Sequence, residues 1–224
     1  MNGKITMSQL QTQLQTDTWI AMPWQQYLEV IEDPIYQKSK SYYYRGNLRI
    51  EMLPVSFDHG KDHLIIAAAV TVFAALNKIR ANGLDTTSLR KKTGMRECQP
   101  DISYYLEDKA QAIPAGTGIV NLDQYPPPDL VIEIAKSSLL DDLGTKRSLY
   151  EELGVKEYWI VDVNTPEIIA YKILTSEKEL GSQRIRESQV LSGLTLSVLE
   201  AALRRSRETD HSTVIAELMS QFQN

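Results

Sequence analysis

Glu133 stands in the run Leu130-Val131-Ile132-Glu133-Ile134-Ala135, whose near-continuous apolar character indicates a central strand buried on both faces. A carboxylate left unpaired there is costly, so something positive must face it, either a metal ion or a lysine or arginine. Asp101 follows Pro100 at the head of a second strand that runs on to Leu106. Because the proline cannot donate a ladder hydrogen bond, it marks a strand end from which a carboxylate can be aimed into a cleft. If the two strands lie side by side, Asp101 and Glu133 can bind one hard cation. Magnesium, with manganese as its substitute, suits such a pair, since it prefers oxygen ligands and often takes only one or two protein carboxylates. Such an ion acidifies water and offsets charge developing on a phosphodiester.

Three further side chains could join this pair. Lys136 is close in sequence, but strand alternation turns it away from the Glu133 face. Lys146 is the better lysine: with Leu149, Tyr150 and Leu153 it makes one face of the following helix, so its stem can lie on apolar packing while the ammonium reaches the carboxylates. There it would either orient a water or steady a phosphate oxygen. Glu51, in Leu48-Arg49-Ile50-Glu51-Met52-Leu53, is a candidate third carboxylate, and His63 is a candidate phosphate contact or general base, with a plain helix-start role open to it as well. His59 is a weaker candidate on a loop, and His211 lies in the polar C-terminal segment. The three histidines and the lone Cys98 have no zinc-site spacing.

The elements that must position these residues are legible as follows. Residues 1–18 are polar and without period, and read as a flexible arm. Pro23 opens a short helix through Trp24, Tyr27 and Leu28 that ends before Pro34. Tyr42 to Arg45 and Leu48 to Leu53 flank Gly46-Asn47 as a hairpin, stopped by Pro54. An alanine-rich helix is predicted from His63 to Arg80, with Asp62 as its N-cap and Gly83 as its end. The stretch from Glu107 to Pro128 is too long for a simple connector, and Tyr104, Tyr105 and Tyr125 near it are candidates for stacking on bases. After the acidic strand come the Lys146 helix, closed by Gly154, an inner strand over Glu157 to Val163, and an antiparallel neighbour over Glu167 to Leu174. A helix near Ser197 to Arg205 follows. The main domain is expected over residues 19–205, with 206–224 a tail or one short amphipathic helix available to a partner chain.

The 224 residues suffice for one well-buried core, and 42% hydrophobic with 24% charged residues excludes a wholly disordered chain. A net charge of -5 argues against a passive nucleic-acid coat. The longest apolar run, ending at Leu76, falls short of a membrane span, and the N-terminus lacks a signal-peptide core, so a cytoplasmic location without membrane contact is expected.

The segments GNLRIEMLP, HLIIAAAV, PDISYY, PPDLVIEIAKSS and DDLGTKRSLYEELGVKEYWIVDV, in that order, resemble the Uma-type restriction endonuclease family of the PD-(D/E)XK nuclease superfamily, over roughly residues 20–175. The resemblance implies an α/β fold with a restriction-endonuclease-like core, a central mixed β-sheet flanked by helices and magnesium at one edge. It matches Pro100-Asp101 to the family's proline-aspartate and Glu133 to its second-strand glutamate. Ala135 stands where the superfamily's lysine would be, and Lys146 is the implied substitute. Ala135-Lys136-Ser137-Ser138 lacks the family's usual proline, a departure that bears on loop shape.

Two functions follow as expectations. The first is a magnesium-dependent endonuclease that hydrolyses DNA phosphodiester bonds, acting as a homodimer as many such nucleases do. The second is a nucleic-acid- or protein-binding module that kept the scaffold and lost turnover, which the acidic composition favours.

Overall fold

A computed structural model describes residues 14–52, 55–176 and 179–223. In chain order the first elements are β1 (Ile20–Ala21), α1 (Trp24–Ile31), β2 (Lys40–Tyr44), β3 (Asn47–Glu51), α2 (Phe57–Leu76), β4 (Ala81–Asp85), β5 (Leu89–Lys91), β6 (Arg96–Cys98) and β7 (Ile102–Leu106). A 3-10 turn over Glu107–Gln111 precedes β8 (Val120–Asn121) and β9 (Leu130–Ala135). Then come α3 (Leu139–Asp141), a π-helical turn over Asp142–Lys146, and α4 (Arg147–Leu153). The chain continues through β10 (Glu157–Asp162), β11 (Glu167–Ser176), β12 (Glu179–Ile185), α5 (Leu196–Ser206) and α6 (His211–Phe222).

The strands make two sheets. The central one has the order β12-β11-β10-β9-β7-β4, with β9 and β10 parallel and its other pairings antiparallel. This is a mixed α/β sheet flanked by helices, the architecture expected from the sequence. The second sheet has the order β1-β3-β2-β6-β5-β8. Strand alternation sorts the side chains into two cores. Leu130, Ile132 and Ile134 of β9, with Trp159 and Val161 of β10, face α2, α5 and α6. Val131 and Ala135 face the other way, among Tyr42, Cys98, Leu149, Tyr150, Tyr158 and Ile160. Glu133, between Val131 and Ala135, therefore points into the space between the central sheet, the second sheet and α4. A third cluster packs Tyr27 and Val30 of α1 against Tyr43, Leu48 and Ile50 of the hairpin.

Several sequence expectations shift. The hairpin turn is Arg45-Gly46, not Gly46-Asn47, because a two-residue turn of this hand needs positive φ at both central positions, and these have 47° and 78°. That register pairs Lys40 directly with Glu51. The long helix begins at Phe57, two turns before His63, because Ser56 caps it by accepting from the His59 N–H at 3.3 Å. Asp62 is thus no cap; it is buried within α2 and accepts from Arg207 at 2.5 Å. The helix stops at Leu76, and Gly83 lies in β4, where a Cβ would meet the Tyr104 ring at 2.9 Å. At 20 residues and a mean hydropathy of 1.2, α2 is long and apolar enough to cross a membrane, but its Ile65, Ile66, Ala69, Val70 and Phe73 face is committed to the core.

The long stretch after β7 bridges the sheets: β8 adds to the second sheet beside β5, and Val120 and Leu122 fill the core behind it. Tyr104 and Tyr105 are buried, so neither can stack on a base, and the Tyr104 hydroxyl donates to the Ala67 carbonyl at 2.9 Å. The strand β12 escaped the sequence reading because its polar composition suits an edge. The last segment forms α6, the short amphipathic helix expected, and it packs one face onto α2 through Val214, Leu218 and the Phe73–Phe222 ring contact at 5.1 Å. The predicted arm falls largely on residues 1–13, and the predicted stop at Pro54 also lies outside the described residues.

Gly154 ends α4 in the left-handed region, with φ 79°. A Cβ there would touch only Pro127, at 3.9 Å, so a side chain costs conformation and not space. Gly154→Ala is expected to lower stability by about 1 kcal/mol in urea unfolding; an unchanged midpoint would contradict the helix-end assignment.

Candidate active site

Strand register brings the first two carboxylates together. β7 and β9 are antiparallel with Ile102 opposite Ile132, so Asp101, one residue before β7, stands across from Glu133. Asp101 Oδ2 accepts from the Ile134 N–H at 2.8 Å, which fixes the carboxylate against β9. The hairpin supplies the facing wall. Alternation places Lys40 and Tyr42 on the inner face of β2, and Glu51 lies opposite Lys40. The Lys40 ammonium sits 3.0 Å from Asp101 Oδ1, 3.3 Å from Glu133 Oε2 and 3.7 Å from Glu51 Oε2.

The helix after β9 supplies a second ammonium. Lys146 closes the π-helical turn, a widened geometry often found at functional sites. Its Nζ lies 2.8 Å from Glu51 Oε1, 2.9 Å from Asp142 Oδ1 and 3.9 Å from Glu133 Oε1. Glu51 and Glu133 thus each offer one oxygen to Lys40 and the other to Lys146. Tyr150 and Tyr42 donate to Glu133 Oε1 at 2.6 and 3.1 Å, and the Tyr42 ring lies 4.2 Å from the Lys146 ammonium. Arg49 ties Glu51, at 2.8 Å, to Asp141, at 2.9 Å. Asp101, Glu133, Lys146 and Lys40 are all buried. A cavity of about 410 Å³ opens beside them, reached by Lys40, Glu51, His59, Asp101 and the Lys136-Ser137-Ser138 segment.

Of the residues singled out from sequence, Asp101, Glu133, Glu51 and Lys146 converge here. His63 does not: its Nε2 faces Asp85, 3.4 Å away. Because α2 starts earlier than expected, the histidine one turn before it, His59, is the one beside Asp101, at 3.5 Å. Sequence reasoning missed Lys40, Tyr42, Tyr150 and Asp142 as parts of the cluster. The signal for Lys40 was present: Lys40, Tyr42 and Tyr44 alternate on one face, and a turn at Arg45-Gly46 pairs Lys40 with Glu51.

Burial works against every charge in this cluster, and the outcome differs by position. For Asp101, the Lys40 ammonium and His59 outweigh burial and hold the carboxyl well below its ordinary range. Burial is likewise overcome at Glu51, which Lys146 and Lys40 bring down to about 2. Glu133 is the exception, as burial pushes its carboxyl up to about 7 against the pull of Lys146 and Lys40. Burial disfavours the Lys40 charge too, yet Asp101 and Glu133 hold it above the usual lysine range.

The carboxylate oxygens of Asp101, Glu133 and Glu51 are hard donors of the kind magnesium takes, and they already converge on one positive charge. In donor chemistry they suit a divalent ion. In arrangement the charge they surround is Lys40, and among the described residues no group of three His, Cys, Asp or Glu side chains is disposed to hold a metal ion as it stands.

The raised Glu133 carboxyl has a consequence for stability. A folded-state value of about 7, against an ordinary 4.5, means the folded protein holds this proton more tightly than the unfolded chain does. Its stabilising contribution is therefore full below pH 4.5 and declines as pH rises to about 7. Glu133→Gln cannot ionise, so the wild type is expected to lose stability relative to this variant across that window in thermal unfolding. A flat difference would contradict the assignment.

No curated protein matches the chain. A solved structure described as "a putative nuclease belonging to DUF820 from Anabaena variabilis" aligns with a TM-score of 0.54 at 16% identity, covering 81% of this chain and 99% of that one. At that identity the likeness speaks for the fold. The family model described as "Uma2: Putative restriction endonuclease" matches residues 24–204, from the start of α1 to within α5, and takes in every residue of the carboxylate cluster. The chain therefore belongs to the Uma2 family.

Proposed function

We propose that this protein is an endonuclease that hydrolyses DNA phosphodiester bonds with Mg2+, or Mn2+ in its place, and works as a homodimer so that two sites meet two strands. The observation that carries the reading is the convergence of Asp101, Glu133, Glu51 and Lys146, drawn from four separate segments, beside a cavity that Asp101 and Glu51 line. The nuclease description of the family and of the Anabaena variabilis protein supports it.

Asp101 and Glu133 would hold the cation. When bound, such an ion supplies Lewis acidity and neutralises charge developing on a phosphodiester. The remaining work belongs to the chain itself. The Ile134 N–H keeps Asp101 aimed, and Tyr42 and Tyr150 keep Glu133 aimed, so the carboxylates are oriented before substrate arrives. Lys146, locked by Glu51 and Asp142, places a fixed positive charge behind them. Glu51 is set between both lysines, where it can accept a hydrogen bond from a water in the cavity.

A second reading, a binding module without turnover, is favoured by one observation: Lys40 occupies the position between the carboxylates. The two readings separate in a single assay. Incubated with supercoiled and linear DNA, the wild type is expected to cleave with Mg2+ or Mn2+ and not with EDTA. Asp101→Asn and Glu133→Gln, shown to be folded by circular dichroism, are expected to lose about 10³-fold in rate, and Lys146→Met about 10²-fold. DNA binding without metal-dependent cleavage of any form would leave the binding module.

A further inference from the structure

We infer that Lys40 is an exchangeable internal cation: it holds the Asp101–Glu133 position in the free protein, and a divalent ion enters by displacing its ammonium into the adjoining cavity. This rests on the reading of the site as metal-dependent. The two buried lysines differ in a way that singles out Lys40. Lys146 is enclosed by Glu51, Asp142 and the Tyr42 ring, and it does not reach the cavity. Lys40 lines that cavity together with Glu51, His59 and Asp101, so its flexible stem has somewhere to go.

Charge gives the exchange its direction. Five carboxylates, Glu51, Asp101, Glu133, Asp141 and Asp142, face three permanent cations, Lys40, Lys146 and Arg49. A dication in place of Lys40 offsets more of the excess than the lysine does. The two cannot share the position, since Lys40 lies 3.0 and 3.3 Å from the oxygens the ion needs, and like charges at that range repel strongly. The displaced ammonium keeps its positive charge in the cavity, where it is available to an anionic group of a substrate. The same lysine thus guards the carboxylates when the site is idle and meets the substrate anion when it is loaded.

The test measures metal binding directly on the full chain, apart from cleavage. Mn2+ titration followed by electron paramagnetic resonance is expected to show Lys40→Met binding at least about tenfold more tightly than the wild type, because a competing like charge is removed. In the wild type, labelling of Lys40 by an amine-reactive reagent, read by mass spectrometry, is expected to rise several-fold on adding Mn2+, while Lys146 stays protected. The labelling needs no variant, so it decides the matter even if Lys40→Met does not fold. Equal or weaker Mn2+ binding by a folded Lys40→Met, or Lys40 labelling unchanged while Mn2+ binds, would overturn the exchange and leave the hydrolase reading intact. Absence of Mn2+ binding in both folded proteins would overturn the exchange and the metal-dependent reading together.

Discussion

The structure depends on the burial of opposed charges where two sheets meet. Asp101, Glu133 and Asp142 lie out of water with the Lys40 and Lys146 ammonium groups, the partly buried Glu51 sits beside them, and Arg49, Ser138, two tyrosine hydroxyls and one backbone N–H help to satisfy the carboxylates. In a medium of low polarity an unpaired member of such a cluster is expensive, so each residue needs the others in place. The contributions come from separate parts of the chain: Lys40 and Glu51 from the hairpin, Asp101 from just before β7, Glu133 from β9, and Asp142 and Lys146 from the π-helical turn that follows. The cluster is complete only when the hairpin docks over the strand ends, and the aromatic core of Tyr42, Tyr150 and Tyr158 around it is what holds that docking.

Buried ion pairs are poor value as pure stabilisers, because apolar residues of similar size often serve as well or better. Their presence here, beside a cavity, is better understood as preparation for a charged ligand. The asymmetry within the cluster has the same sense. Asp101 sits nearest Lys40 and takes a backbone N–H, which favours its ionised form, whereas Glu133 lies deeper and is pushed toward its protonated form. Two carboxylates in one site are thereby set to different protonation behaviour by surroundings alone.

Much of this was legible in the sequence, and the misses have physical causes. The run around Glu133 and the Pro100-Asp101 step were readable because a carboxylate amid apolar strand residues, and a proline at a strand head, each point to a specific geometry. Lys146 was readable because helical spacing put it on the Leu149, Tyr150 and Leu153 face, which is buried as expected. The histidine was misplaced by one turn because the helix start is set by a single serine cap, which the apolar pattern beginning at Leu64 did not reveal. Lys40 was missed because the hairpin turn depends on backbone sign at Arg45 and Gly46, and a turn placed one residue later would set Lys40 against a different partner. The rest of the second sheet, β1, β5, β6 and β8, is built from strands of two or three residues, too short for any period to show.

The central claim is that carboxylates from distant segments share one cation position. A crystal soaked in Mn2+ and measured at its absorption edge tests this most directly. The account predicts an anomalous peak within ligand distance of both Asp101 and Glu133, with the Lys40 side chain turned into the cavity. An ordered site with no peak, and Lys40 still between the two carboxylates at high Mn2+, would contradict it.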